Sequence, residues 1–355
     1  MPKLALACTV ALLALGALAP VAGAGVANAG LGARAGGDPL AGLPWGNYSG
    51  SQDEVFPAYR AASGQARQLL GLVALRPRVR WFGAWYPDSQ IQTTVRQYIA
   101  NVTGGHPNVL AQVAVFRLSP WEQAACRSLP SVGQQASYKR WIQAFAAGIG
   151  ASRVALILQP DLPFARCVPH HSKLPLMLVA DAARAFDALP HTTVYIDAGA
   201  ADWVSAAQAA TLLRGAGIAG ARGFALNATH YDSTSRQIAY GSQIVHDLAA
   251  AGVPGRHFVI NTAANGRPFT HQQYHGPDFD NAAVCPSAAS RRCVTLGIPP
   301  TSRVSESAWG LAPRARGLAA SLVDAYLWIG RPWLDDQSDP FDLGRTLALA
   351  RTTPF

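Results

Sequence analysis

The chain has 355 residues, of which 50% are hydrophobic and 14% charged, and a formal net charge of +9 at pH 7. That much apolar material can build one large core or two modest ones, which excludes disorder as the main state. After the first thirty positions no apolar run reaches the ~18 residues a spanning helix needs, so the mature chain is expected to have no membrane span. The basic balance first suggests nucleic acid. However, of the 29 basic residues all but Lys3, Lys139 and Lys173 are arginines, dispersed in runs no longer than pairs such as Arg291-Arg292. No stripe of arginine interleaved with aromatics can be drawn, and no nucleic-acid partner is expected.

Residues 1–29 read as a short cationic start, an apolar run from Leu4 to Ala19, and Ala27-Asn28-Ala29 before Gly30. This is the pattern of a secretory signal peptide, so the mature chain is expected to be secreted and to begin near Gly30. Cys8 precedes the end of the apolar run, which rules it out as a lipid-attachment site. Removing the leader leaves four cysteines, an even number that in an exported protein suggests two disulfides. Three pairings are open, and Cys126–Cys167 with Cys285–Cys293 is the one favoured. No C-x2-C spacing is present, and neither a metal nor a cofactor is expected.

Residues 30–42 are rich in Gly and Ala without pattern and read as a flexible mature N-terminus, leaving 43–355 as a single domain. Within it, short β-rich runs recur: Val79–Trp85, Ala111–Phe116, Val154–Leu158, Thr193–Ile196, Gly223–Leu226, His257–Ile260 and Ala325–Ile329. Helical segments alternate with them. In Ser137–Ile149, Trp141, Phe145 and Ile149 recur at fourfold spacing as a buried face, and Leu176–Leu189 and Ala206–Ala216 read similarly. Seven runs alternating with helices predict an α/β fold with a parallel sheet, either a barrel or a doubly wound sheet. The long interval between the sixth and seventh runs reads as a stapled functional loop.

In parallel α/β folds, chemistry gathers where the strands end. The residues there are Trp85, Arg117, Asp161, Asp197, Asn227, Asn261 and, after the last run, Asp335 and Asp336. No nucleophile elbow, phosphate loop, dinucleotide fingerprint or H-E-x-x-H is present. His271 and His275 stand at i, i+4 in a Gln-rich stretch without a nearby Glu and read as solvated. What remains is carboxylates beside aromatic residues, namely Trp85, Tyr86, Trp121, Trp203, Trp328 and Trp333. Aromatic faces for sugar rings plus paired carboxylates for proton transfer is the specification of a glycosidase.

The segment Ala155-Leu-Ile-Leu-Gln-Pro-Asp161-Leu resembles the V-I-I-E-P-D segment of glycoside hydrolase family 6, which contains cellobiohydrolases and endo-β-1,4-glucanases. Trp81-Phe-Gly-Ala-Trp85-Tyr-Pro resembles its W-F-G-x-W-N-P, and Val194-Tyr-Ile-Asp197-Ala-Gly199 with Trp203 resembles its V-Y-x-D-A-G-x-x-x-W. Arg222–Asn227, Phe258–Gly266 and Asp324–Ile329 continue the match in the same order, over roughly residues 75–340. The resemblance implies a distorted seven-stranded β/α barrel, inverting cleavage of a β-glucan, and a monomer. It makes Asp161 the general acid and Asp336, or one residue earlier Asp335, the base. Trp85, Trp203 and Trp328 become sugar platforms, with Asp197 and Asn227 as hydrogen-bonding groups of the cleft.

Departures from the family pattern fall on the chemistry. Gln159 replaces a Glu, Ala200 a His, Gly330 a Lys and Leu334 a Glu, and an Asp expected near Cys126 is at best Glu122, with one more methylene. A carboxylate beside the acid raises its pKa, so Glu122 is the expected third catalytic residue. The alternative is a carbohydrate-binding pseudoenzyme on the same barrel, with turnover lost.

Overall fold

The computed structural model describes residues 37–51, 53, 55–118 and 126–355. Two helices, α1 (Val55–Ala61) and α2 (Gly64–Ala74), precede the first strand. Then β1 (Arg80–Gly83), β2 (Ala111–Phe116), β3 (Val154–Leu158), β4 (Thr192–Asp197), β5 (Gly223–Leu226), β6 (His257–Asn261) and β7 (Val323–Leu327) form one sheet in sequence order. Every neighbouring pair is parallel. Between strands lie α3 (Ile91–Thr103), α4 (Val132–Ile149), α5 (Leu174–Asp187), α6 (Ala206–Gly215), α7 (Thr234–Ala250) and α8 (Pro313–Leu322), and α9 (Leu343–Thr352) ends the chain.

The sheet curls until its edges meet. Val79 N donates to Trp328 O at 2.9 Å, and Trp81 Nε1 to Ile329 O at 2.8 Å. Along β3, Ala155 and Ile157 point into the barrel while Val154, Leu156 and Leu158 pack outward on the helices. Both faces are dry, which is why the strands read as continuous apolar runs. The outer edge of β7 is capped by Thr301, which exchanges two backbone bonds of 2.9 Å with Tyr326. This is the expected distorted seven-stranded barrel.

Helix boundaries follow their caps. α4 starts five residues before the expected Ser137, because Ser131 and Gln134 form a reciprocal capping box at residues the apolar spacing does not mark. Ser205 and Gln208 do the same for α6, and Gly217 leaves that helix with φ of 85°. Trp141, Phe145 and Ile149 are all buried, as their spacing predicts.

Two expectations are corrected. The seventh strand begins at Val323, two residues before the expected Ala325, and so includes Asp324. A charged residue argues against a strand, but here Arg222 donates to it through Nε (2.9 Å) and NH2 (2.8 Å), Tyr195 through its hydroxyl (2.7 Å), and His257 Nδ1 lies at 3.2 Å. The second correction concerns the end of the supposed flexible N-terminus. Leu40 is wholly buried among the inward-facing residues of the barrel, and Pro44 and Gly46 bond to Leu110 at the foot of β2. Residues 38–46 therefore seal the end of the barrel where the strands begin. The signal-peptide reading of 1–29 and residues 30–36 lie outside the described residues.

Both favoured disulfides are present, Cys126–Cys167 and Cys285–Cys293. Their sequence separations of 41 and 8 residues correspond to about 4 and about 2.5 kcal/mol of loop entropy. Among the described residues, no helix is long and apolar enough to cross a membrane.

Candidate active site

Asp161 sits three residues past β3, in the left-handed region (φ 66°), where the chain turns into a short 3-10 helix, Leu162–Cys167. The turn is held from outside. Asp197, the last residue of β4, accepts from Asp161 N (3.1 Å) and Gly199 N (3.0 Å) on one carboxylate oxygen. Thr229, just past β5, donates its hydroxyl to Asp161 Oδ1 at 2.7 Å. Asp161 is partly exposed, whereas Asp197 is fully buried. Burial first, and the charge of Asp161 second, push the Asp197 carboxyl well above the usual carboxylate range. Asp161 and Asp197 thus stand as neighbouring carboxyls, one partly exposed and one buried.

Asp197 was expected to be a sugar-contacting group. Its burial takes it off the cleft surface, and its bond to Asp161 N holds the turn there. Glu122 and Trp121 lie outside the described residues.

The wall beside Asp161 is Trp203. Gly199 (φ 74°) lies beneath it, where an added Cβ would meet the indole at 2.6 Å and Pro163 at 2.8 Å, so glycine lets the ring close over the Asp161 turn. Phe164 of that turn packs on Trp203 with centroids 5.0 Å apart. The Trp203 indole N–H can only donate, and it donates to His230 Nδ1 at 3.2 Å. The ring proton of His230 therefore sits on Nε2, which lies 2.8 Å from Asp202 Oδ1. Burial alone would raise the Asp202 carboxyl, but its bond with His230 and the backbone N–H of His271 hold it below the usual range.

Asn227 and Asn261 tie three strand ends together. Asn227 donates to Asn261 O (3.2 Å) and Asn261 to Asn227 O (2.8 Å), while Asn261 Oδ1 accepts from Ile329 N (2.9 Å) and Gly330 N (3.1 Å). Asn227 is fully buried, with its Oδ1 unpartnered among the described residues.

Trp328 is corrected. It is 2% exposed, donates its N–H to Ile298 O (3.0 Å) and packs on Trp333, so no face of its ring is open to a sugar. Trp85, by contrast, is 53% exposed at the end of β1, as a platform requires.

The last loop reaches Thr229, which holds Asp161, through Gln337, which sequence reasoning missed. Its Nε2 donates to Thr229 O (3.1 Å) and the Tyr231 hydroxyl (3.3 Å). A Cβ on Gly330 would meet Gln337 Oε1 at 2.9 Å and Asn261 Nδ2 at 3.1 Å, so the corner where the family pattern has Lys is filled by a carboxamide. Just before Gln337, Asp335 accepts from Asn281 Nδ2 (2.6 Å), whereas Asp336 is exposed and makes no hydrogen bond or ion pair among the described residues. Partial burial and the charges of Asp278, Asp280 and Asp335 raise the Asp336 carboxyl. Arg117 points away from this cluster, to Ser137 (2.9 Å) and Asp88 (3.5 Å). His271 and His275 are exposed, as expected.

The family model described as Glycosyl hydrolases family 6 matches residues 45–340. The chain belongs to this family. Among curated relatives, it is 32% identical to Endoglucanase 1 of Streptomyces halstedii over 59% of this chain and 65% of that protein. It is also 32% identical to Endoglucanase A of Cellulomonas fimi, over 62% of this chain and 47% of that one. The match thus spans less than two thirds of the length of these relatives. Among solved family 6 structures, the endoglucanase Cel6 of Mycobacterium tuberculosis, in complex with methyl-cellobiosyl-4-deoxy-4-thio-β-D-cellobioside, superimposes with a TM-score of 0.70 at 28% identity. That superposition covers 89% of this chain and 99% of that one. The catalytic core of the cellobiohydrolase Cel6A of Chaetomium thermophilum shares the fold, with a TM-score of 0.62 at 20% identity.

Thr229, His230, Asp202 and Gln337 carry no motif that the sequence reading weighed. Their one signal is position, since each lies within a few residues of a strand end or of Asp336.

Proposed function

We infer that this chain is a secreted glycosidase that hydrolyses β-1,4-glucan with inversion of the anomeric centre. Asp161 is the general acid. Its proton goes to the leaving glycosidic oxygen, while a water on the opposite face of the sugar attacks and gives its proton to Asp336. Inverting carboxylates stand about 6.5–9.5 Å apart, to leave room for that water.

The observation that carries this reading is the seating of Asp161, a partly exposed carboxyl held by Thr229 and set against the buried carboxyl of Asp197. The free carboxylate of Asp336, beside the tethered one of Asp335, supports the choice of base. The relatives named endoglucanases, and the M. tuberculosis enzyme bound to a thio-linked cello-oligosaccharide, support the substrate class. Two disulfides suit an oxidising, extracellular setting.

The test is hydrolysis of soluble β-1,4-glucan and cello-oligosaccharides by the wild-type chain and by Asp161→Asn, with the first-formed anomer read by proton NMR. The expected result is an α-anomer from the wild type and a loss of about 10²–10⁴-fold in the variant. Equal release by both proteins, or a β-anomer first, would overturn the assignment.

A further inference from the structure

The arginine pair Arg291-Arg292 has no part in the cleft, yet it is not isolated. The Cys285–Cys293 disulfide folds this segment back so that Arg267, from the loop after β6, donates to Ala288 O at 2.6 Å. The result is a surface groove of about 610 Å³ lined by Gly266, Arg267, Pro268, Gln273, Arg291 and Arg292. None of the three guanidinium groups has an ion-pair partner among the described residues, and Arg267 Nε is buried without a hydrogen bond. Three cations held together with no carboxylate between them repel one another, and a bound anion would relieve that.

The groove lies close to the cleft wall along the chain. One three-residue turn, His271–Gln273, serves both: its first residue donates its backbone N–H to Asp202, next to Trp203, and its last lines the groove. No aromatic residue lines the groove, so nucleobases have no face on which to stack, which disfavours nucleic acid. Guanidinium forks and a carboxamide do suit oxyanions set among hydroxyls.

We propose that this groove binds the oxyanion groups of an acidic glycan, either the carboxylates of uronic acid units or phosphate esters, on a chain that also passes the Trp203 wall. The glycan part of this inference rests on the proposed function, whereas the anion part does not.

The test is titration of the full chain with β-1,4-linked glucuronate oligosaccharides, phosphorylated cello-oligosaccharides, neutral cello-oligosaccharides and a single-stranded DNA of equal charge, at low and physiological salt. The variant is the double substitution Arg291→Ser, Arg292→Ser, with both sites exposed. Arg267→Gln is the second variant, and the thermal midpoint is the check that each folds. One acidic glycan should bind more tightly than its neutral counterpart, weaken about tenfold in the double variant and weaken with salt. The preferred acidic arm then names the oxyanion. Neutral cello-oligosaccharide binding should be unchanged in both variants. Equal acidic-glycan binding by the wild type and both folded variants would overturn the inference, as would DNA bound at least as tightly as either glycan. If Asp161→Asn shows that there is no hydrolysis to lose while arginine-dependent binding persists, the enzyme reading fails and the groove stands.

Discussion

The hydroxyl of Thr229 donates to Oδ1 of Asp161 at 2.7 Å, and the carbonyl of the same Thr229 accepts from Gln337 Nε2 at 3.1 Å. One residue thereby connects the end of β5, the acid after β3 and the loop that carries Asp336. Its hydroxyl fixes where the Asp161 carboxyl points.

Thr229→Val should therefore lower kcat by about fivefold with little change in KM, because losing one such bond is worth about 1 kcal/mol and acts on the orientation of the proposed acid, Asp161. Steady-state kinetics on cello-oligosaccharides checks it, with Thr229→Ser restoring most of the rate. A rise in KM with kcat intact would place Thr229 on the substrate instead.

The two candidate bases separate by partner. Asp335 is engaged with Asn281, and Asp336 is free. Asp336→Asn should cost at least about 10²-fold in kcat, and Asp335→Asn only a few-fold. The reverse ranking would transfer the role to Asp335.

The His230 ring holds Trp203 by its indole N–H while being held by Asp202. His230→Ala removes the acceptor of the Trp203 N–H and the ring beside Asp202, leaving that carboxylate with the backbone N–H of His271. The expected outcome is a several-fold higher KM for cello-oligosaccharides and about 1–3 kcal/mol lower stability by denaturant titration. Trp85→Ala should raise KM without that loss of stability, since its ring is exposed.

At the opposite end of the barrel, Asp324 compensates Arg222 where both are largely out of water. Asp324→Asn should cost about 3–5 kcal/mol, measured by chemical denaturation, because one charge of a buried pair is left alone.

Asp38, on the segment that seals this end, is raised to about 6 by burial first and by the Asp324 charge as a lesser cause, against the bonds from Leu40 and Ala41. A carboxyl raised in the folded state gives stability that is present below its unfolded value near 3.8 and is lost as the pH climbs through about 6. Asp38→Asn should accordingly gain stability relative to the wild type between pH 4 and 6.5, by up to about 2 kcal/mol. Thermal midpoints of both proteins across that range check it, and a constant difference would show that Asp38 does not titrate there.

The sequence by itself determined the seven parallel strands alternating with helices and the even cysteine count, and it placed Asp161 and Trp85 just past strand ends, because each depends on local signals. Apolar runs flanked by helical spacing specify strands buried on both faces, an even cysteine count suggests two disulfides without fixing their pairing, and a residue just past a parallel strand lies at the end of the sheet where sites gather. Only the tertiary structure decided the remainder. Trp85 and Trp328 both follow strands, yet one ring is open and the other closed, because the long β6–β7 segment brings Ile298 over Trp328. Asp324 is strand rather than loop because Arg222, 102 residues earlier, neutralises it. Thr229 meets Asp161 across 68 residues, and Gln337 meets Thr229 across 108. Such contacts follow from how the sheet curls and where its loops close, and no periodicity along the chain encodes them.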